Sequence, residues 1–311
     1  MTNVFHRNIL VIKLGALGDI VLALGPFAAI RERHHEANIV LLTTPAFEKF
    51  LEPSGYFDQI WTDNRPALWQ VPDWLKLKSR LRKRGFTLVY DLQTSDRSGW
   101  YFRLFDKKNR PEWSGIANGC SYPHANPNRD FMHSIERQNE QLAIAGINSV
   151  PPADLSWVTA DISRFGLQNR FVIMMPGGSP HRLAKRWPTK SYAELAVRIT
   201  ENGSQPVVLG SSAEALLAQE VIRRCPEAID LCGQTELKDI AVLARNAVGA
   251  VGNDTGPTHI AAAAGCQTVV LFSGASDPAL TAPRGVSVTV LRQKNLANLS
   301  IESVAAALRL V

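Results

Sequence analysis

Three loops of this 311-residue chain hold side chains suited to a phosphorylated ligand. The richest is Val251-Gly-Asn-Asp-Thr-Gly-Pro-Thr-His-Ile-Ala-Ala-Ala-Ala-Gly265, where a short apolar run breaks into a polar turn and opens into an Ala-rich helix. Asp254 and Thr255 can cap that helix, Gly256 keeps the turn open and Pro257 fits its first turn. The free N–H groups there, with the positive end of the helix dipole, suit a diphosphate. The second loop runs from Pro176 to Pro188. Gly177, Gly178 and Ser179 let the backbone approach an anion, while His181, Arg182, Lys185 and Arg186 bring positive charge. The third, Lys13-Leu-Gly-Ala-Leu-Gly-Asp-Ile20, has Gly15, Gly18 and Asp19 at a strand-to-helix turn. It lacks both the G-x-G-x-x-G of a dinucleotide site and the G-K-[ST] of a P-loop. Asp19 there either caps a helix or takes a proton from an incoming hydroxyl.

Other residues carry a plainer reading beside the functional one. Glu214 stands three residues after Ser211, the spacing of a capping box. His259 lies one turn inside the Ala-rich helix, where a packed histidine is common. Asp91, Gln93 and Ser98 either face a cleft or cap the next helix.

These loops must be positioned by strands and helices, and the pattern alternates the two nearly throughout. Continuous apolar runs predict strands at Asn8–Leu14, Asn38–Thr43, Phe86–Asp91, Phe171–Met175, Pro206–Gly210, Ala247–Val251 and Thr268–Phe272, buried on both faces of parallel sheets. Helices are expected over 19–35, 65–84 and 131–145, after Ser191 with Glu194 as its capping partner, after Ser211, from a Thr235 cap to Asn246, and after Ser300. The last presents Ile301, Val304 and Leu308 on one face. The rhythm lapses over 118–130 and again over 149–169, around Pro151-Pro152. The expectation is an α/β fold of two Rossmann-like doubly wound sheets facing across a cleft. The domains would be residues 1–160 and 161–311, with the last helix able to pack back on the first.

Composition narrows the function. Hydrophobic residues make 45% of the chain and charged residues 20%, the balance of a globular protein, and no apolar run approaches the roughly 20 residues of a membrane span. Lys13, Gly15, Gly18 and Asp19 interrupt any signal-peptide pattern, which places the chain in the cytoplasm. Four scattered cysteines, with no C-x-x-C pair, predict free thiols and no structural metal. The excess of 34 Lys and Arg over 28 Asp and Glu gives +6, concentrated at residues 76–84 and 103–110. Without an aromatic platform or recognition motif, that charge does not indicate nucleic acid.

Together these residues resemble the bacterial lipopolysaccharide heptosyltransferase-type enzymes, glycosyltransferase family 9. I-K-L-G-A-L-G-D-I-V-L-A-L-G-P resembles that family's opening motif, Lys185-Arg-Trp-Pro188 its phosphate-clamping loop, and G-N-D-T-G-P-T-H-I-A-A-A-A-G its donor-site signature. The resemblance implies a GT-B fold and an inverting, metal-independent transfer without a cofactor. Asp19 would be the base and Lys185 the partner of the leaving diphosphate. Gly177, Gly178, Ser179, Lys185, Arg186, Glu214, Asp254, Thr255, Gly256, Pro257 and His259 would hold the nucleotide-sugar donor, ADP-heptose being favoured over a UDP- or GDP-sugar. Gly15, Gly18, Asp91, Gln93 and Ser98 would line the site of an anionic glycolipid acceptor. The two basic runs would rest on the inner face of the cytoplasmic membrane. The segment after Gln93 reads T-S-D-R-S instead of the family's more usual G-x-x-K-S, and the loop before Glu214 reads G-S-S-A-E instead of G-G-x-x-E. A non-catalytic nucleotide-sugar binder is the alternative from another class.

Overall fold

The structure, a computed structural model, describes residues 7–67, 69–179 and 181–309. The chain divides into two compact units between Pro152 and Ala153.

The first unit runs β1 (Asn8–Ile12), α1 (Leu17–Val21), α2 (Leu24–Arg33), β2 (Asn38–Thr43), α3 (Pro45–Leu51), β3 (Gln59–Thr62), α4 (Val71–Lys83), β4 (Leu88–Asp91), α5 (Asp96–Leu104), β5 (Glu112–Gly115), β6 (Tyr122–Pro123) and α6 (Ser134–Ile144). Its sheet has the order β3-β2-β1-β4-β5-β6, with every neighbouring pair parallel. The chain winds outward from β1 on one side and resumes at β4 on the other, so the loops after β1 and β4 lie together where the winding reverses.

The second unit repeats the plan: β7 (Phe171–Met175), α7 (Thr189–Glu201), β8 (Gln205–Val208), α8 (Ala215–Arg224), β9 (Ile229–Asp230), α9 (Leu237–Asn246), β10 (Gly249–Asn253), α10 (Gly256–Ala263), β11 (Thr268–Phe272), α11 (Pro278–Thr281), β12 (Val288–Arg292) and α12 (Ile301–Ala307). The order β12-β11-β10-β7-β8-β9, again all parallel, puts the reversal between β7 and β10. The loops that follow those two strands are the Pro176–Pro188 loop and the Gly-Asn-Asp-Thr-Gly turn. Val/Ile/Leu-rich central strands are buried on both faces, as their unbroken apolar runs require. Each unit has its own core; Trp113 anchors the first and Trp187 the second.

Several elements depart from the sequence expectation. The helix over 19–35 is two helices. Pro26 in the first turn of α2 has no N–H to continue α1, and the Pro151 carbonyl occupies the space of a Cβ on Gly25. The helix expected from residue 65 begins at Val71, with Pro72 in its first turn. Ser191 and Glu194 lie inside α7, which starts after Pro188, and Glu194 pairs with Arg224 at 2.8 Å instead of capping. Thr235 does not cap α9; Glu236 does, its N–H bonded to Asp239 Oδ2 at 2.8 Å. Strands β3, β5, β6, β9 and β12 are additional to the expected set. Helix α12 is capped by Ser300 as expected and packs on α7. All four cysteines are free.

Candidate functional site

In the second unit one buried side chain assembles the site. Asn253, the last residue of β10, is fully buried and has all four of its hydrogen bonds. Its Nδ2 donates to the carbonyls of Pro176 (2.8 Å) and Gly177 (3.0 Å), and its Oδ1 accepts from the Trp187 N–H (3.0 Å) and the Tyr192 hydroxyl (3.2 Å). Both ends of the Pro176–Pro188 loop are thereby held on β10. Trp187 fixes the far end further, donating its indole N–H to Leu299 and packing edge-on against Tyr192.

The stapled loop carries Lys185 to Asp254, Nζ to Oδ2, at 2.6 Å. The His259 Nε2 lies 3.8 Å from the other carboxylate oxygen, and both Lys185 and Asp254 are largely buried. Burial pushes the Asp254 carboxyl up, but His259 and Lys185 outweigh it and hold the group at about 2. Thr255 is the N-cap residue of α10 by backbone, yet its hydroxyl meets the Thr258 hydroxyl at 3.1 Å and caps no N–H. Pro257 occupies the first turn as expected. Gly252 is required because a Cβ there would lie 2.5 Å from Thr258 Oγ1.

Glu214 does more than cap. Its Oε2 takes the Ser211 N–H at 2.8 Å, closing the capping arrangement, and its Oε1 takes the Gly178 N–H at 2.7 Å. A Cβ on Gly177 would overlap this carboxylate, and a Cβ on Gly178 would lie 3.2 Å from Thr255 Cγ2. Arg186 donates to the Gly178 carbonyl and keeps a buried Nε without a partner. Ser179, His181 and Arg182 are exposed on the loop. Thus Gly177, Gly178, Lys185, Arg186, Glu214, Asp254, Thr255 and His259 converge at one edge of the second sheet.

In the first unit the loop after β1 holds Asp19 half-buried, its Oδ2 accepting the Ala16 N–H at 3.0 Å. Asp19 is therefore the third residue of α1 and not its N-cap. Gly15 has φ +114°, which a side chain would resist. Gln93 Oε1 accepts the Leu14 N–H at 2.8 Å and ties the β4 loop to the β1 loop. Behind it Lys13 is buried, its Nζ donating to the Leu92 carbonyl at 2.9 Å. Burial draws its pKa down, with Asp19, Arg137 and Asp91 as its charged neighbours. Asp91 is fully buried. It accepts the Gln93 and Thr94 N–H groups on Oδ1 and leaves Oδ2 without a partner; burial raises its pKa to about 6. Ser98 is also fully buried and takes the plainer of its two readings, exchanging cap hydrogen bonds with Ser95 at the start of α5. Gly18, Asp19 and Gln93 are thus half-buried at the loop surface, with Gly15, Asp91 and Ser98 buried beneath it.

The basic runs are only partly available to a partner. Arg82 pairs with Asp106, Arg84 with Asn38, Arg80 lies over Trp61 and Arg110 over Phe102. Sequence reasoning missed Asn253, Lys13 and Arg137. Asn253 stands inside the most informative motif, but its four partners are 61 to 77 residues away, and no local pattern shows them. Among the described residues no cluster of three or more His, Cys, Asp or Glu is placed to hold a metal ion.

Comparisons with known proteins give the family and the fold. The family model for Glycosyltransferase family 9 (heptosyltransferase) matches residues 74–307. The lipooligosaccharide heptosyltransferase 2 of Haemophilus influenzae is 31% identical over 131 residues, 40% of this chain and 38% of that protein. That match spans well under half of the relative's length. The lipopolysaccharide heptosyltransferase 1 of Pseudomonas aeruginosa is 25% identical over 307 residues, 90% of this chain and 82% of that one. The structure of E. coli ADP-heptose lipopolysaccharide heptosyltransferase II superposes with a TM-score of 0.80 at 21% identity, over 97% of this chain and 98% of that chain. The family 9 glycosyl transferase of Veillonella parvula gives 0.84 at 18%, over 97% and 96%. The α/β fold of two doubly wound sheets is that of these GT-B proteins.

Proposed function

Because the chain belongs to glycosyltransferase family 9, the heptosyltransferases, we propose that it transfers a sugar from a nucleoside-diphosphate donor to an anionic glycolipid of the lipopolysaccharide core type. ADP-heptose is the donor we favour, and the transfer is inverting and metal-independent. The observation that carries this reading is the Lys185–Asp254 pair held at the N-terminus of α10 by the Asn253 staple. Such a site places a cation and the N-terminal end of a helix around one diphosphate.

On this reading the acceptor hydroxyl attacks the anomeric carbon and gives its proton to the Asp19 carboxylate. The bond from that carbon to the diphosphate oxygen breaks on the opposite face, and the departing charge is met by Lys185, Arg186 and the first turn of α10. Asp254 keeps Lys185 aimed until the diphosphate takes its place. Glu214, on the Gly178 N–H, sets the height of the glycine pair against which the donor lies, and Gly15, Gly18 and Gln93 shape the acceptor loop. The exposed part of the basic runs at 76–84 and 103–110 suits the negative charge of the acceptor and of the inner membrane face, where the protein works as a peripheral enzyme. Among the described residues no helix is long and apolar enough to cross a membrane.

The test is a thermal-shift panel of ADP, UDP, GDP and their sugar conjugates, each with and without EDTA. Binding to the native state raises the melting temperature by mass action. A metal-independent shift selective for ADP and ADP-heptose is the expected outcome. A shift with UDP or GDP alone would replace the donor, and no shift with any of them would remove the nucleotide-sugar reading.

A further inference from the structure

The first unit holds a polar cavity that the transfer steps leave unused. Its volume is about 320 Å³, at the small end of the range for ligand sites. Thr62, Asp63 and Asn64, at the end of β3, form one wall, and Asp73, Lys76 and Arg80, on one flank of α4, form the other. Pro66 and Leu77 make its apolar part. Two of the polar side chains are fixed by the fold itself. Asp63 is buried, its Oδ1 accepting the Arg65 N–H at 2.8 Å and its Oδ2 the Tyr101 hydroxyl. Each carboxylate oxygen keeps a further lone pair. The Arg80 guanidinium lies 4.0 Å over the Trp61 ring, which sets its plane. Asn64 and Asp73 are exposed.

Charge and hydrogen bonding select the occupant. Two carboxylates stand against one ammonium and one guanidinium, and Lys76 already lies 3.5 Å from Asp73, so the lining is balanced. A phosphate would meet Asp63 and Asp73, and the start of α4 turns its N–H groups inward. Val71 donates to the Trp69 carbonyl, Asp73 and Trp74 donate to that of Gln70, and Pro72 has no N–H. A cation would meet Lys76 and Arg80. The walls suit groups that both donate and accept, because the acceptors Asp63 and Asp73 lie among the donors Lys76 and Arg80, and Thr62 and Asn64 can do either. Hydroxyls have that property. We infer that the cavity is a subsite for one neutral pyranose ring, with its hydroxyls on the polar walls and its C–H face on Leu77 and Pro66.

Position gives the subsite its use. In the sheet β3 is two strands from β1, so their carboxyl ends stand roughly 10 Å apart. One residue joins the cavity to the Asp19 loop: Arg65 gives its N–H to Asp63 and its Nη2 donates to the Leu14 carbonyl at 2.6 Å. A ring held in the cavity therefore belongs to the acceptor oligosaccharide, near the sugar whose hydroxyl meets Asp19. That assignment to the acceptor rests on the transferase reading; binding of the ring itself does not.

The experiment is an NMR titration of the isotope-labelled full chain with the methyl glycosides of glucose, galactose and mannose and, separately, with inorganic phosphate, no donor being present. The amide signals of residues 62–65 and 73–77 are followed. At least one glycoside should shift them saturably, and phosphate at the same concentration should not. The variant N64A/D73A changes two exposed positions, and an unchanged melting temperature confirms that it folds. It should bind the glycoside at least about tenfold more weakly, the loss expected for two hydrogen bonds. Should the double variant melt lower, N64A alone is titrated and should show a smaller loss in the same direction. No shift at those amides with any of the three glycosides, equal affinity of variant and wild type, or tighter binding of phosphate than of the glycosides would overturn the inference. Neither donor nor transfer enters the measurement. A chain that binds a glycoside here and no nucleotide in the thermal-shift panel would keep the subsite and lose the nucleotide-sugar reading.

Discussion

The Lys185–Asp254 pair is an interaction of two largely buried charges, and its two members have different duties. Asp254, held at about 2, stays ionised through the neutral range. Its folded pKa lies below the unfolded value near 4, so the stability it contributes, on the order of 2 kcal/mol, is present above pH 4 and is lost as pH falls toward 2. Lys185→Ala removes the cation and leaves the carboxylate with His259 alone. Acid unfolding should then begin at a higher pH than in the wild type, which a urea melt at each pH will read. The same variant should slow transfer by roughly 10²–10³, the usual loss for one donor to a developing charge. Asp19→Asn is the complementary change: its amide oxygen still accepts the Ala16 N–H, so the loop keeps its shape, while the base is gone. Turnover should fall by about 10²–10⁴ with ADP binding unaltered in a calorimetric titration. Asp91 has the opposite sign. Its folded pKa is raised to about 6, so stability is lost as pH rises from about 4 through 6. Asp91→Asn keeps an acceptor for the Gln93 and Thr94 N–H groups and should be more stable than wild type at pH 7.5, by on the order of 2 kcal/mol, with the difference vanishing near pH 4.

At the scale of elements, what could be read from the sequence depended on how local the cause was. Strands β2, β7 and β11 fall where their unbroken Val/Ile/Leu runs predict, because burial on both faces leaves a signal that needs no partner to interpret. The missed strands are short or remain partly solvent-facing, as at β3 and β12, and they exist because a neighbouring strand offers a register. Helix α7 starts ahead of Ser191 because a capping spacing recurs by chance and the earlier Pro188 takes the role, and α9 is capped one residue after Thr235, at Glu236. The candidate site shows the same division. Asp19, Lys185 and Asp254 stand in motifs, whereas Asn253 acquires its role only when β10 lies beside β7. Asn253→Ala should confirm that the staple positions the loop. It leaves the Trp187 N–H, the Tyr192 hydroxyl and two carbonyls short of a partner, a loss of roughly 3 kcal/mol. In a unit of this size that lowers the melting temperature by about 6–12 °C. Donor affinity should fall as well, since Lys185 then has to be ordered by the ligand itself.

At the scale of the whole molecule, the division into two units with separate cores has a thermodynamic consequence. The residues proposed to hold the donor, from Gly177 to His259, all belong to the second unit, and those proposed for the acceptor, from Gly15 to Gln93, all belong to the first. A ligand that binds only the folded second unit stabilises that unit by RT ln(1 + [L]/Kd), about 2.7 kcal/mol at a hundredfold excess over Kd. Differential scanning calorimetry with ADP should therefore raise the transition of the second unit by about 5–10 °C. If the units unfold separately, the other transition stays where it was. If they unfold as one, a single transition rises by less, because the same free energy is spread over a larger unfolding entropy. Lys185→Ala should shrink the ADP-dependent shift, and Asp19→Asn should leave it intact. A shift that instead disappears with Asp19→Asn would place the nucleotide in the first unit and reverse the proposed assignment of donor and acceptor to the two sheets.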